Sequence, residues 1–298
     1  MHVTESFLTY LQFERRYSNH TVSAYCNDLE QFSDFLNSHF DHLKPEHASH
    51  HQIRSWIVAL IETKVSTRSI RRKLASLSSY YKHLIRNKVI TSNPVQKVIS
   101  PKINVQLPSF IRNSEMEDLL VRHDFGNDFE GLRNKLIIEL LYTTGIRRSE
   151  LLNLKVSEID MTKTIIKVIG KGNKHRIVPL AQHTKPLIVD YLLERQCALN
   201  EINEQSPYLF ITSKGKQTYP GLIYRTVTKH LNYVSTNSKK NPHILRHSFA
   251  TSLLNNGADI NVIKEILGHA NLQATQVYTH NTSENLKSIY KQAHPRAK

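Results

Sequence analysis

Apolar positions recur at spacings of three and four through most of the first hundred residues. Phe7, Tyr10, Leu11 and Phe13 mark a short amphipathic helix over 3–15. Ser18 then caps a second helix with apolar positions Val22, Tyr25, Cys26, Leu29, Phe32, Phe35 and Leu36. Ile53, Trp56, Ile57 and Leu60 predict a third helix near 49–63. Ile70, Leu74, Leu77, Tyr80, Tyr81, Leu84 and Ile85 predict a fourth near 66–88. Four such stripes can bury one another as a small bundle.

The rhythm breaks at Asn93-Pro94 and over 98–110, where two prolines and extended-type residues predict a linker. This divides the chain into residues 1–97, the linker 98–110, and residues 111–298. Beyond it the pattern is mixed. Residues 131–144 form an almost wholly apolar helix with Gly145 at its stop. Residues 164–169 and 176–180 read as strands joined across G-K-G-N-K, a hairpin. Helices follow near 184–200, 220–235, 243–256, 260–267, 272–279 and 283–293, with Gly257 and Gly268 at helix ends. The fold class is mainly α with a small antiparallel sheet, α+β.

Charge changes this picture. The chain of 298 residues carries a formal net charge of +15. Residues 1–100 hold 13 basic and 8 acidic side chains, a net of +5, so the remainder carries +10. A surplus spread over both parts points to a polyanion, foremost nucleic acid. Arg68, Arg71, Arg72, Lys73 and Lys82 fall on what reads as the polar side of the fourth helix. They are candidate phosphate contacts, against the plainer reading of a solvated helix face. The two cysteines, Cys26 and Cys197, lie far apart and imply neither a zinc site nor a disulfide framework, which fits a reducing cytosol. The N-terminal stretch carries acids within its apolar run and does not read as a signal peptide. No segment has the ~18 apolar residues of a membrane span.

The candidate chemistry lies in the second part. P-H-I-L-R-H places His243 and Arg246 one helical turn apart on one face. L-G-H-A supplies His269, and Q-V-Y-T-H supplies Tyr278 nine residues later. T-G-I-R-R-S-E offers Arg147 or Arg148, between which spacing does not choose, with Glu150 as a carboxylate that could hold the guanidinium in place. In the hairpin, Lys171 could protonate a leaving oxygen, and Lys174 and Arg176 could grip phosphate. Guanidinium forks bind non-bridging phosphate oxygens, and a phenol beside them can become a nucleophile once positive groups stabilise the phenolate. His243 and His247 also have the spacing of a zinc helix. They lack its glutamate, however, and enclose a cation, Arg246, that disfavours a metal. No metal and no cofactor is expected.

Taken together, these residues resemble the tyrosine recombinase (phage integrase) family, and the resemblance covers essentially the whole chain. Residues 1–100 resemble its N-terminal four-helix, SAM-like core-binding domain and 108–298 its integrase-type catalytic domain. Arg147, Lys171, His243, Arg246, His269 and Tyr278 match the family's active-site set in order. The alignment of T-G-I-R-R-S-E-L favours Arg147 over Arg148. G-K-G-N-K, L-G-H-A, Y-T-H and the ending A-H-P-R-A are closest to the Xer branch. The resemblance implies that Arg147 and Arg246 bind a scissile phosphate, aided by His243 and His269. It also implies that Tyr278 attacks phosphorus to give a 3′-phosphotyrosyl link, and that Lys171 protonates the departing 5′-oxygen, without ATP or metal. It implies duplex DNA as partner and a tetramer on DNA, either homomeric or with a paralogous recombinase. It further implies a role in resolving chromosome dimers in the cytoplasm, at the nucleoid, with a septum-linked DNA translocase as a possible partner. The helix 283–293 would dock on a neighbouring subunit through Leu286, Ile289 and Tyr290, or else fold back on its own domain. Three alternatives stay open: an integrase of a mobile element, a non-catalytic DNA-binding protein, and a type IB topoisomerase-like enzyme.

Overall fold

The computed structural model describes residues 3–102, 110–170, 175–237, 240–268 and 288–296. The chain divides into two compact units, Met1–Gln106 and Leu107–Lys298. Among the described residues no helix is long and apolar enough to cross a membrane.

The first unit is the expected helical bundle. α1 (Val3–Thr9) runs into a π turn over Tyr10–Glu14; α2 (Asn19–His39), α3 (His50–Glu62) and α4 (Thr67–Arg86) follow. Each of the last three begins at a serine, because a hydroxyl can accept from the otherwise unpaired amides of a first turn. Ser18 accepts from Thr21 N–H at 3.3 Å and Ser66 from Ser69 N–H at 3.2 Å. Ser49 forms a capping box with Gln52. Phe7, Phe32, Leu36, Ile53, Leu77, Tyr81 and Leu84 are wholly buried between the helices.

One assignment is corrected. Lys73 does not lie on a free basic face; it is 5% exposed. Its ammonium donates to Asp28 Oδ1 at 3.0 Å and to Gln31, and lies 5.7 Å from the Trp56 ring centroid. The cause is helical period. Position 73 sits between Ile70 and Leu77 on the same stripe, so it enters the bundle whatever its charge. A buried ammonium needs a carboxylate, and the buried Asp28 supplies it, accepting also from Arg72 and from Ser76 at 3.0 Å. Arg68, Arg71 and Arg72 stay exposed.

The second unit begins with α5 (Asn113–Glu117) and a π turn over Asp118–Arg122, neither predicted from the pattern. α6 (Phe129–Thr144) is buried along most of its length, as a helix apolar on nearly all sides must be. α7 (Arg148–Asn153) follows directly. The hairpin is β2 (Ile165–Ile169) and β3 (His175–Pro179), antiparallel in a register pairing Ile166 with Val178 and Ile169 with His175. A two-residue strand, β1 (Ile159–Asp160), completes the sheet in the order β1-β2-β3; it is too short to show in an alternation pattern. α8 (Thr184–Glu201), α9 (Pro220–Val234), α10 (Pro242–Asn255) and α11 (Ile260–Leu267) pack around α6 and the sheet, and residues 288–293 are again helical. Most of the predicted linker (103–109), the helix near 272–279 and the start of the tail helix lie outside the described residues.

Over residues 288–296 the tail folds back on its own unit. Tyr290 is 2% exposed, its ring 6.5 Å from Phe249 and 5.2 Å from His294. Asn256 Nδ2 donates to the Ala293 carbonyl at 2.7 Å. The Arg296 guanidinium reaches the buried Glu139 at 3.2 Å, a carboxylate that His183 also contacts at 2.6 Å.

Candidate active site

The site is built where three helix ends meet. α6 stops at Gly145, which takes the left-handed φ of +60°. A side chain here would be strained, and a Cβ would stand 2.4 Å from the Phe249 ring. The stop turns the chain so that Arg147 becomes the N-cap of α7, in extended conformation. Glu150, three residues on, accepts from Arg147 N–H at 2.6 Å and from Arg147 Nη1 at 2.9 Å. Arg147 Nη2 donates to the Gly268 carbonyl at 3.0 Å. Arg148 is exposed. The geometry therefore separates the two arginines that spacing left equal: Arg147 is held, half-buried, and Arg148 is not.

Arg246 comes from α10, whose first turn is capped by Asn241 Oδ1 accepting from the His243 and Ile244 amides at 3.0 and 3.2 Å. Arg246 is 6% exposed. Its guanidinium donates to the Gly145 carbonyl and, at 2.7 Å, to the Leu267 carbonyl. Burial, then the Arg147 cation and more weakly that of Arg176, push it down to about 10, against the opposing charge of Glu150. It remains charged at neutral pH, with most of its hydration removed and other cations near it. Such a group gains most from an arriving anion. His243 lies exposed one turn before it, and so does His247.

Arg176, expected on the hairpin as a phosphate contact, is no such contact in the structure. It is 5% exposed and forks onto Glu150, with Nη1 at 2.7 Å from Oε1 and Nη2 at 2.8 Å from Oε2. Its Nε donates to the Ile266 carbonyl at 2.9 Å. Alternation explains this: Arg176 pairs with Val168, which also points into the core, so the side chain is carried inward. Burial would push the Glu150 carboxyl up. The charge and hydrogen bonds of Arg176, with those of Arg147, outweigh it and hold the carboxyl down at about 2.

The carbonyls of Ile266, Leu267 and Gly268 thus accept from Arg176, Arg246 and Arg147 respectively. These are end carbonyls of α11, left without helical partners and at the negative end of its dipole. No residue pattern announces this; the only signal is a helix ending at Gly268 directly before a candidate histidine. Arg147, Glu150, Arg246 and Arg176 are therefore brought together. Lys171 and Lys174 lie outside the described residues, between the ends of β2 and β3, and so do His269, the residue after Gly268, and Tyr278.

Residues 109–285 match the phage integrase family, and residues 4–88 match its N-terminal SAM-like domain. The chain belongs to the phage integrase family of tyrosine recombinases. A tyrosine recombinase XerC of Listeria innocua is 40% identical, over 98% of this chain and 97% of that one. The XerC of Anoxybacillus flavithermus is 38% identical over the same shares. The chain is thus a site-specific recombinase of Xer type. Among solved structures, XerH site-specific recombinase bound to palindromic difH substrate, a post-cleavage complex, superposes with a TM-score of 0.70 at 22% identity, over 97% of this chain and 84% of that one. A lambda integrase (75–356) dimer bound to a COC′ core site gives 0.67 at 16%, over 92% and 98%. At these identities the likeness concerns the fold of the recombinase.

Proposed function

We propose that this recombinase cuts and rejoins duplex DNA by transesterification at one phosphate held between Arg147 and Arg246. The convergence of both guanidinium groups on the peptides just before His269 carries this reading. Two forks bind the non-bridging oxygens and neutralise charge that grows as phosphorus becomes pentacoordinate. His243 and His269 add donors. Tyr278 attacks phosphorus, forming a phosphotyrosine at the 3′ end, and the 5′-oxygen leaves with a proton from Lys171. The 5′-hydroxyl of a second strand then reverses the step, so one phosphodiester replaces another and no ATP is spent. Glu150 holds Arg147 in place. Arg68, Arg71, Arg72 and Lys174 would grip backbone phosphates on either side.

Exchange between two duplexes needs four such sites, which supports a tetramer on DNA, either of this chain alone or shared with a paralogous recombinase. One of the solved neighbours is a lambda integrase tetramer bound to a Holliday junction. The XerC names of the relatives support a role in chromosome partition at cell division. On this reading the protein resolves chromosome dimers in the cytoplasm on the nucleoid, with a septum-linked translocase as a partner. The test uses a nicked duplex from which the short leaving strand diffuses away. Wild-type protein should accumulate a covalent adduct with EDTA present, and Tyr278→Phe should bind the same duplex and form none. Adduct persisting in the Tyr278→Phe protein would sink the assignment. Footprinting will place the chromosomal site; a site at the end of a mobile element would favour the integrase alternative.

A further inference from the structure

We propose that Arg176 is a positioning residue for strand cleavage, which sets Arg147 through Glu150 and ties strand β3 to the end of α11 at the Ile266 carbonyl. The inference rests on the transesterification reading above.

Three observations carry it. The fork of Arg176 occupies both oxygens of Glu150, at 2.7 and 2.8 Å. The Oε1 that it holds is the same oxygen that accepts from Arg147 Nη1 at 2.9 Å. A planar fork on a carboxylate fixes its plane and rotation, so Arg176 determines where Glu150 presents its remaining lone pairs and hence where Arg147 lies. The third bond, from Nε to the Ile266 carbonyl at 2.9 Å, anchors the guanidinium to the end of α11. Packing seals the arrangement. Gly268 has a φ of +65°, and a Cβ there would stand 3.1 Å from Arg176 Cδ, so the glycine lets the guanidinium lie flat beneath the end of α11.

Charge adds a second reason for Arg176. Glu150 faces Arg147 from α7, Arg176 from β3 and Arg246 from α10. With Arg176 present the carboxylate is saturated, and Arg147 keeps donors free for phosphate. Without it, the buried carboxylate would keep only the backbone N–H and the Nη1 of Arg147 as hydrogen-bond donors. It would either draw that guanidinium inward or take up a proton. In both cases the phosphate-binding geometry degrades while the DNA-facing surface is untouched. A shift of about 1 Å in a positioned group costs on the order of 10²-fold in rate.

The experiment compares wild-type, Arg176→Gln, Arg176→Lys, Glu150→Gln and the Glu150→Gln/Arg176→Gln double variant. The probe is a nicked duplex carrying the segment that wild-type protein protects in a footprint. For Arg176→Gln, affinity and the slope of log Kd against log salt should match wild type, because a lost phosphate contact would lower the slope by about 1. Single-turnover adduct formation should fall on the order of 10²-fold. The ratio of its rate to that of wild type should acquire a dependence on pH between 5 and 8, rising as the now poorly paired Glu150 ionises, whereas the histidines and the phenol common to both proteins cancel from that ratio. The double variant should be no slower than Arg176→Gln. Arg176→Lys restores charge without the fork and should recover only part of the rate; if Arg176→Gln does not fold, this variant carries the binding, rate and pH measurements. A reduced salt slope, a wild-type cleavage rate, an unchanged pH profile or additive losses in the double variant would each overturn the inference. Absence of adduct from wild type itself would instead overturn the transesterification reading.

Discussion

Arg147 donates to the carbonyl of Gly268 at 3.0 Å, so the guanidinium read as the first phosphate ligand is fastened one peptide away from His269. The two residues are 121 positions apart, and only the fold joins them. Lysine at 147 would keep the charge, but a single ammonium cannot span Glu150 and Gly268 as a fork does. Arg147→Lys should lower single-turnover cleavage on the order of 10²–10³-fold, the usual cost of losing one preorganised charge donor. Binding of the nicked duplex, followed by gel shift on the same samples, should change little.

Gly145 ends α6 in a left-handed turn, and its carbonyl receives Arg246. A Cβ would meet Phe249 at 2.4 Å. Gly145→Ala should destabilise the catalytic unit by on the order of 2 kcal/mol, combining backbone strain with overpacking. For a unit of this size that is about 4–8 °C in melting midpoint, measurable by calorimetry. An unchanged midpoint would show that the turn relaxes without cost.

Acid should weaken the same unit before its carboxylates titrate. Burial pushes both His230 and His294 down to about 4, so the folded chain keeps them neutral while the unfolded chain protonates them near pH 6.5. The unfolded state then binds more protons, and stability present above pH 6.5 is lost as pH falls toward 4. At pH 5 the loss is up to about 2 kcal/mol per histidine. His294→Asn should flatten the fall between pH 6.5 and 4 relative to wild type in thermal melts across that range.

Tyr290 tests the placement of the tail. Its ring is fully inside the catalytic unit against Phe249 and His294. Tyr290→Ala should cost roughly 3 kcal/mol even in dilute protein without DNA, as truncation of a buried aromatic does. A tail held only by a neighbouring subunit would leave the dilute melt unchanged and alter only the assembly on DNA.

Periodicity made the helices legible, because the stripes of α2, α3 and α4 and the serines that cap them are local facts. The hairpin was legible from its strands and glycines, whereas β1 was too short to alternate. The site is legible as a set of residue types; spacing leaves Arg147 and Arg148 equal, the family resemblance favours Arg147, and the bonds to Glu150 and Gly268 set it apart physically. Lys73 and Arg176 depart from the expected surface for a common reason. Charge alone predicts solvent, but helical or strand phase carries both into the core, where Asp28 and Glu150 receive them. The row of carbonyls from Ile266 to Gly268 was invisible in the sequence, since backbone acceptors leave no residue signature.

The central claim is that a phenolic oxygen at position 278 takes the DNA. Trypsin releases residues 265–287 as one peptide, in which Tyr278 is the single tyrosine. Wild-type protein trapped on the nicked duplex should be digested with nuclease and trypsin and its peptides sequenced by mass spectrometry. The account predicts nucleotide mass on that peptide, localised to Tyr278 and linked through a 3′-phosphate. Nucleotide mass on any other residue, or trapped DNA linked through its 5′ end, would contradict it.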